Sequence, residues 1–342
     1  MSLSRGAYAS SGVDIDLKSI FISSLVHELK YRRSANGPVI ATGHFTAAVT
    51  FGKHLLTLST DGVGSKLLIA RKMNKWDTVG IDCVAMNVND TICIGAEPIA
   101  LVDYVATPSL EPEIGAELGR GLNSGARAAN VTIVGGEVAV LGHMMNELDL
   151  SASCLGFLER RKIITGRSIK AGDEIIGVAS SGLHSNGFTL VRMILSEKSI
   201  PLDEKFQSGK SLGNVLLTPT TIYVRPVLRC ISHGGITGMA NITGGGMRNI
   251  LRLNEKVLFS ITDLPRPQRI FTFLSENGGI PDSEMFQTFN MGIGFVIVAR
   301  KGRGDEAVRC LRKHRLKADV IGQVEKGHGV ALQEYGIHYD RY

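Results

Sequence analysis

Residues 56–66 read Leu-Thr-Leu-Ser-Thr-Asp-Gly-Val-Gly-Ser-Lys, and residues 80–96 read Gly-Ile-Asp-Cys-Val-Ala-Met-Asn-Val-Asn-Asp-Thr-Ile-Cys-Ile-Gly-Ala. The apolar run Leu55–Leu58 predicts a strand that stops in a turn holding Asp61, Gly62, Gly64, Ser65 and Lys66. A strand ending in glycines lets the backbone approach a phosphate, because no side chain intervenes and the N–H groups can turn inward. A carboxylate and an ammonium in the same turn point to Mg2+ beside a polyphosphate, since Mg2+ takes carboxylate and phosphate oxygens and lysine neutralises remaining charge. Asp82 and Asp90 stand in an otherwise apolar segment, where an unpaired charge is costly. For Asp90 two readings stay open: a second metal ligand, or an Asn/Asp helix cap or turn. The turn is not a Walker A loop, because G-x-x-x-x-G-K-[ST] does not occur, and no G-x-G-x-x-G follows a clean strand.

At 342 residues the chain is long enough for two domains with a core each. Its 40 glycines exceed the usual ~7% and fall in discrete clusters, which favours ligand loops and tight turns over disorder. The net charge of +6 is spread along the chain. Its densest basic cluster, Arg300–Arg315, alternates with Val308, Leu311 and Leu316 and reads as the solvated face of a helix. With no interleaved aromatics, no nucleic-acid partner is expected. The five cysteines, Cys83, Cys93, Cys154, Cys230 and Cys310, form no C-x-x-C and are odd in number, the pattern of reduced thiols in a cytoplasmic protein. The first residues carry no apolar signal-peptide core and no run reaches membrane-spanning length, so no membrane partner is expected.

Alternating strand and helix patterns divide the chain into domains 1–165 and 166–342, with the boundary in the surface segment Thr165–Gly172. The first domain is predicted to hold a helix from Asp16 to about Lys30 and strands leading into the Asp61 turn. Helices follow at Ser65–Met73 and Val84–Ile94, a strand at Ile99–Ala106 and a helix at Pro112–Ala129. A strand Val131–Val134 ends at Gly135-Gly136-Glu137, and a last strand spans Ser151–Leu158. The second domain opens with Ile175–Ala179, which runs into Ser180-Ser181-Gly182-Leu183-His184-Ser185-Asn186-Gly187 and a helix Phe188–Glu197. A helix within Thr218–His233 is expected to break near Pro226. A glycine turn, Ile242-Thr243-Gly244-Gly245-Gly246, precedes a helix at Met247–Leu251, and strands Phe295–Ala299, Val320–Val324 and Val330–Glu334 close the pattern.

Eight motifs stand in order: Asp61-Gly62-Val63-Gly64-Ser65-Lys66, Val88-Asn89-Asp90, Gly95-Ala96-Glu97-Pro98, Asp103-Tyr104, Gly135-Gly136-Glu137, Ser181–Gly187, Thr243-Gly244-Gly245-Gly246 and Phe289-Asn290-x-Gly292-x-Gly294. Together they resemble the phosphoribosylformylglycinamidine cyclo-ligases, also called aminoimidazole ribonucleotide synthetases, over nearly the whole chain from Ser10-Ser11-Gly12-Val13-Asp14 onward. The resemblance implies an α/β (α+β) two-domain PurM-like fold, each domain a mixed sheet with helices on one face, in a homodimer whose N-terminal sheets join into a barrel. It implies ATP-dependent ring closure of formylglycinamidine ribonucleotide in purine biosynthesis. Phosphorylation turns the formamide oxygen into a good leaving group, and the protein supplies charge neutralisation and alignment. Asp61 and Asp90 are implied as ligands of Mg2+–ATP, Lys66 as a phosphate-charge partner, and Glu137 as a further metal or water ligand. Gly62, Gly64, Ser65, Asn241 and Thr243 are implied around the nucleotide. His184, Ser185, Asn186 and Gly187 are implied at the substrate's ribose phosphate, where a helix N-terminus suits a dianion. Lys30 resembles a family lysine near that phosphate, reaching across a dimer. Blander readings stand beside these: a solvated turn glutamate for Glu137, a packed turn residue for His184, and a basic residue in a helix's last turn for Lys30.

The chain departs from the family pattern at Val138-Ala139-Val140-Leu141-Gly142, where a hydroxyl and a carboxylate are lost, at Thr42-Gly43-His44-Phe45-Thr46, and at Thr220-Thr221-Ile222-Tyr223, which lacks an arginine. The competing readings are another ATP-dependent enzyme of the superfamily, of the thiamine-phosphate kinase kind, and a non-catalytic ATP-binding regulatory protein.

Overall fold

The computed structural model describes residues 15–31, 33–40 and 43–342, so the Ser10–Asp14 stretch and Thr42 lie outside the described residues. The first half contains α1 (Ile15–Glu28), β1 (Ala47–Phe51), β2 (His54–Gly62), α2 (Leu67–Lys72), α3 (Asp77–Ile92), β3 (Glu97–Thr107), α4 (Pro112–Ala129), β4 (Thr132–Val140) and β5 (Asp149–Glu159). The second contains β6 (Glu174–Ala179), α5 (Phe188–Glu197), the short hairpin β7 (Lys205–Gln207) and β8 (Lys210–Ser211), α6 (Leu212–Leu216), α7 (Val224–Ser232) and β9 (Ile236–Asn241). It continues with β10 (Leu258–Ile261), α8 (Arg269–Gly278), α9 (Asp282–Thr288), β11 (Ile293–Ala299), α10 (Gly304–Lys313), β12 (Ala318–Glu325), β13 (Gly329–Leu332) and β14 (Ile337–Tyr339).

β1–β5 form one five-stranded sheet in the order β1-β2-β5-β3-β4, mixed because β3 and β4 run parallel. The later long strands form a seven-stranded sheet, β14-β13-β10-β12-β6-β11-β9, in which β10 and β13 are the parallel pair. Strand β11, between β6 and the edge strand β9, is buried at every position along a mostly apolar run, which is how a strand covered on both faces reads. In the first sheet, Ser59 on β2 hydrogen-bonds the Asn87 carbonyl and the Thr91 hydroxyl of α3, so the odd residues of β2 face that helix. Register carries this face across the sheet: Asp61 pairs with Ala152, Ala152 with Asp103, and Asp103 with Gly136. The opposite face exposes Leu58, Val102 and Tyr104, which are 56%, 43% and 40% accessible.

α3 is buried on nearly every side, because it lies between this sheet and the second half of the chain. Such a helix is apolar all round apart from groups that find partners. It starts seven residues before the expected Val84–Ile94 and ends at Ile92, with Asp90 in its last turn. The cap-or-turn reading of Asp90 does not hold. β4 also runs past the place where Gly135-Gly136-Glu137 was expected to end it. Within the strand, position 136 suits glycine because the Asp103 carboxylate crosses it, 2.6 Å from where a Cβ would stand. Pro226 does not break a helix. It sits in the first turn of α7, where no intrahelical donor is required, and residues 218–223 are an irregular strap instead. α1 is largely exposed, with Leu17, Ile20, Phe21 and Leu25 all more than half accessible.

Candidate active site

Three polar side chains of α3 fasten the strap 218–223 and β9 to the first sheet. Asp82 accepts from the Thr220 N–H (2.7 Å) and hydroxyl (2.5 Å). Asn89 donates to the Thr221 carbonyl (2.8 Å) and accepts from the Tyr223 N–H (3.0 Å), clasping the backbone from both sides. About two helical turns on from Asp82, Asp90 accepts from the Asn241 amide at 2.8 Å. A helix buried in this way can carry such groups only because each is paired.

Lys66 belongs to the same joint. It is fully buried, its Nζ stands 2.7 Å from the second Asp82 oxygen, and it donates to the carbonyls of His184 and Thr218 at 2.9 Å each. A lysine has three N–H donors, and all three are used. Burial pushes its pKa down, and the Asp82 charge opposes that shift. The structure does not present Lys66 to a ligand phosphate as expected: its charge answers the buried Asp82, and its bonds tie the turn before α2 to the second half of the chain.

Asp61, at the end of β2, and Asp90, at the end of α3, face the same region. The Asp61 carboxylate accepts from its neighbour's Gly62 N–H at 2.8 Å. Burial raises Asp90 from 3.8 to about 7; the Asn241 hydrogen bond opposes this, the Asp61 charge adds to it, and Arg252 on the second half opposes it. Two carboxylates that repel, with one amide and one guanidinium nearby, form a set that a hard dication would relieve. These residues fit Mg2+. Arg252 carries no motif that marks it in the sequence. It follows the glycine turn by six residues and lies 4.9 Å over the Phe45 ring and 4.1 Å over the Tyr342 ring. His44, beside Phe45, is held neutral, its pKa pushed down to about 4 by burial and by Arg252.

Glu137 does not join Asp61 and Asp90. It is exposed on β4, three strands from β2, and pairs in register with Tyr104 on the face away from Asp61. The carboxylate that shares the face of Asp61 is Asp103, which burial pushes up and which borders a cleft of about 480 Å³ between β3, β4 and α4.

The turn 184–187 leads into α5. His184 is buried at φ 61°, and its Nε2 accepts from the N–H groups of Ser181 (3.3 Å) and Thr221 (3.4 Å). Burial, then Lys66, pushes its pKa down to about 3, so the ring is a neutral packed acceptor, as the blander reading had it. The Ser185 hydroxyl meets that of Thr220 at 3.3 Å, and Ser65 meets Thr189 of α5 at 3.0 Å. Asn186 reaches the glycine turn, its Oδ1 lying 3.1 Å from where a Gly244 Cβ would be. Thr243 gives its carbonyl to the Gly245 and Gly246 N–H groups. The two turns, one assigned to substrate phosphate and one to nucleotide, are thus neighbours. Lys30 is not brought to them within one chain: among the described residues its ammonium pairs only with Glu28, at 3.5 Å.

The AIR synthase related protein N-terminal domain matches residues 44–158 and the AIR synthase related protein C-terminal domain matches 170–334. A phosphoribosylformylglycinamidine cyclo-ligase of Methanocaldococcus jannaschii is 47% identical over 320 residues, covering 93% of this chain and 91% of the relative. The chain belongs to the phosphoribosylformylglycinamidine cyclo-ligase family. A second member, from Thermoplasma volcanium, is 45% identical across 95% of this chain and 96% of its own. Solved structures share the family's fold at lower identity. A HypE–HypF complex aligns with TM-score 0.66 at 19% identity, covering 93% of this chain and 98% of that one. AaThiL complexed with AMPPCP and TMP aligns with TM-score 0.65 at 21% identity, covering 91% of each chain. The two-domain α/β fold expected from the motifs is the fold of the chain. Among the described residues, no helix is long and apolar enough to cross a membrane.

Proposed function

We propose that the chain catalyses ATP-dependent closure of formylglycinamidine ribonucleotide to 5-aminoimidazole ribonucleotide, releasing ADP and phosphate, with an ATP-binding domain at 1–165 and a second domain at 166–342. The observation that carries this reading within the family is the pairing of Asp90 with Asn241, because it gives one site whose anionic half and glycine-turn half come from different domains. Mg2+ would be held by Asp61 and Asp90, and when bound it supplies charge neutralisation for the transferred phosphoryl group.

The protein's own residues do the rest. The glycines Gly62 and Gly64, with Ser65, let the backbone come close to the ATP phosphates, and Thr243 with the following glycines closes the nucleotide side. Ser185, Asn186 and the N-terminal N–H groups of α5 suit the ribose phosphate of the substrate, which the Asn186–Gly244 contact keeps beside the nucleotide. In-line transfer needs the two ligands held within about 3–3.5 Å at their reacting atoms. Lys66, Asp82 and Asn89 serve that end as positioning residues, because they lock the strap and the 184–187 turn to α3. The phosphoryl group passes from ATP to the formamide oxygen, an amidine nitrogen attacks the activated carbon, and phosphate leaves with that oxygen.

The apolar outer face of the first sheet, with Leu58, Val102 and Tyr104 exposed, supports a homodimer built through it. All five cysteines are free and buried, in keeping with a cytoplasmic enzyme. The test is ADP release from Mg–ATP with and without formylglycinamidine ribonucleotide, following aminoimidazole ribonucleotide in parallel. Substrate-dependent ADP matched one-to-one by product is the expected result. Folded, ATP-binding protein that releases no substrate-dependent ADP would overturn the assignment.

A further inference from the structure

Far along the chain from these motifs, two imidazoles and a carboxylate meet at the edge of the second sheet. His338 Nε2 lies 2.9 Å, and His328 Nε2 3.2 Å, from the same Asp340 Oδ1. All three candidate ligand atoms fall within 4.8 Å of one another. A tetrahedral cation with bonds of about 2.0–2.1 Å needs its ligand atoms about 3.3 Å apart, so the two imidazole–carboxylate separations already match to a few tenths of an ångström.

The frame that sets this geometry is rigid on one side and shaped by glycine on the other. His338 is the middle residue of β14, paired opposite Ala331 of β13. The next residue, Tyr339, anchors the strand by donating its hydroxyl to the Ser283 carbonyl at 2.6 Å. His328 sits in the turn before β13 between Gly327 (φ +139°) and Gly329 (φ +99°). The His338 ring lies across Gly329: a Cβ there would stand 2.6 Å from His338 Nε2, so a side chain at 329 would push the ring out of the cluster. The turn is therefore built to let His338 reach Asp340 while His328 comes in from the other side, with the two rings 6.1 Å apart and nearly perpendicular.

We propose that His328, His338 and Asp340 form a surface site for a borderline divalent cation, Zn2+ foremost, with its remaining coordination position open to water. Two imidazoles and one carboxylate are the donor set such cations take, and Mg2+, which prefers oxygen, has no reason to enter it. The site lies on the segment that leads to Tyr342, whose ring stacks on Arg252 at 4.1 Å. A cation held by Asp340 therefore fixes the chain two residues before a contact at the edge of the nucleotide region.

The experiment is calorimetric titration of the full chain with Zn2+ at pH 7.5 in a non-chelating buffer, with Mg2+ as the comparison ion. The expected result is one Zn2+ per chain at about 10 μM or tighter, weakened at least tenfold (~1.4 kcal/mol) in His328→Ala, His338→Ala and Asp340→Asn alike. His314→Ala, an exposed histidine outside the cluster, should leave it unchanged. Saturating Zn2+ should raise the melting temperature of the unsubstituted chain and not of His328→Ala. His328 lies in an exposed turn, so its variant keeps the fold and keeps the test decisive. Zn2+ binding that is absent at 100 μM (on the order of ten times the expected constant), or that survives all three substitutions, would overturn the proposal.

Discussion

Replacing Asp90 by asparagine removes a buried carboxylate that accepts from Asn241 and feels the charges of Asp61 and Arg252. Without a cation, the folded protein holds the Asp90 carboxyl at about 7, against 3.8 in the unfolded chain, chiefly because the group is buried. A carboxyl whose pKa is raised on folding contributes most at pH below 3.8, and its contribution is lost as pH climbs to 7 and beyond. At ~1.36 kcal/mol per pH unit, the rise from 3.8 to about 7 corresponds to a ceiling of about 4 kcal/mol. In Asp90→Asn the side-chain amide oxygen would accept the same hydrogen bond from Asn241 without carrying the charge. The metal-free Asp90→Asn protein should therefore be more stable than the parent at pH 8, by up to ~4 kcal/mol, and no more stable at pH 4. Unfolding entropy of ~2.1 cal/mol/K per residue makes that ceiling about 6 °C in melting temperature.

Mg–ATP should reverse the order. It stabilises the parent by mass action and has lost a ligand in the variant, whose turnover should fall at least ~100-fold. Differential scanning calorimetry at pH 4, 6 and 8, with and without Mg–ATP, reads both effects. A variant no more stable than the parent at pH 8, or equally more stable at every pH, would refute the argument, because either result means that Asp90 ionises in the folded protein without penalty.

Three further outcomes follow from the same geometry. Lys66→Met should destabilise the chain by ~3–5 kcal/mol in urea unfolding, because it leaves Asp82 charged, buried and short of its partner; adding Asp82→Leu should recover only part, since the Thr220 N–H and hydroxyl then lose their acceptor. Asn241→Ala removes a hydrogen bond that favours ionised Asp90, so the acidic limb of the kcat profile should move up by about one pH unit; an unchanged limb would detach Asp90 from that limb. Val102→Glu places a charge in the exposed apolar face of the first sheet and should convert the dimer to monomers in sedimentation at micromolar concentration, with the far-ultraviolet circular dichroism unchanged; a parent that already sediments as a monomer would refute the dimer.

What could be read from the sequence divides along a physical line. Strand, glycine turn and helix at 175–197 were legible because apolar runs and glycines are local signals, and β6 and α5 lie where those signals put them. Asp61 and Asp90 were joined only through the family resemblance: one stands in a polar glycine turn, the other in an apolar segment, where a charge needs a partner that local sequence does not name. The side of the sheet on which a residue emerges was not legible. Glu137 follows two glycines and Lys66 stands two places after one, yet register sends Glu137 to the far face and brings Asp103 to the face of Asp61. Register depends on pairing between strands distant in the chain, and one step exchanges the faces.

Lys66 shows the same division at the level of a single side chain. A lysine after a phosphate-type turn and a lysine inside a domain joint have identical neighbours in sequence. What separates them is Asp82, sixteen positions on, and the carbonyls of His184 and Thr218, more than a hundred positions on. The pairing had one trace in the sequence: Asp82 is a carboxylate in an apolar helix, and a buried carboxylate needs a counter-charge. The sequence does not choose among Lys66, Arg71, Lys72 and Lys75 for that counter-charge; the fold does, by burying Lys66 against Asp82. Arg252, six residues after the 243–246 glycine turn, is a positive charge that acts on Asp90, and nothing local in the sequence marks it.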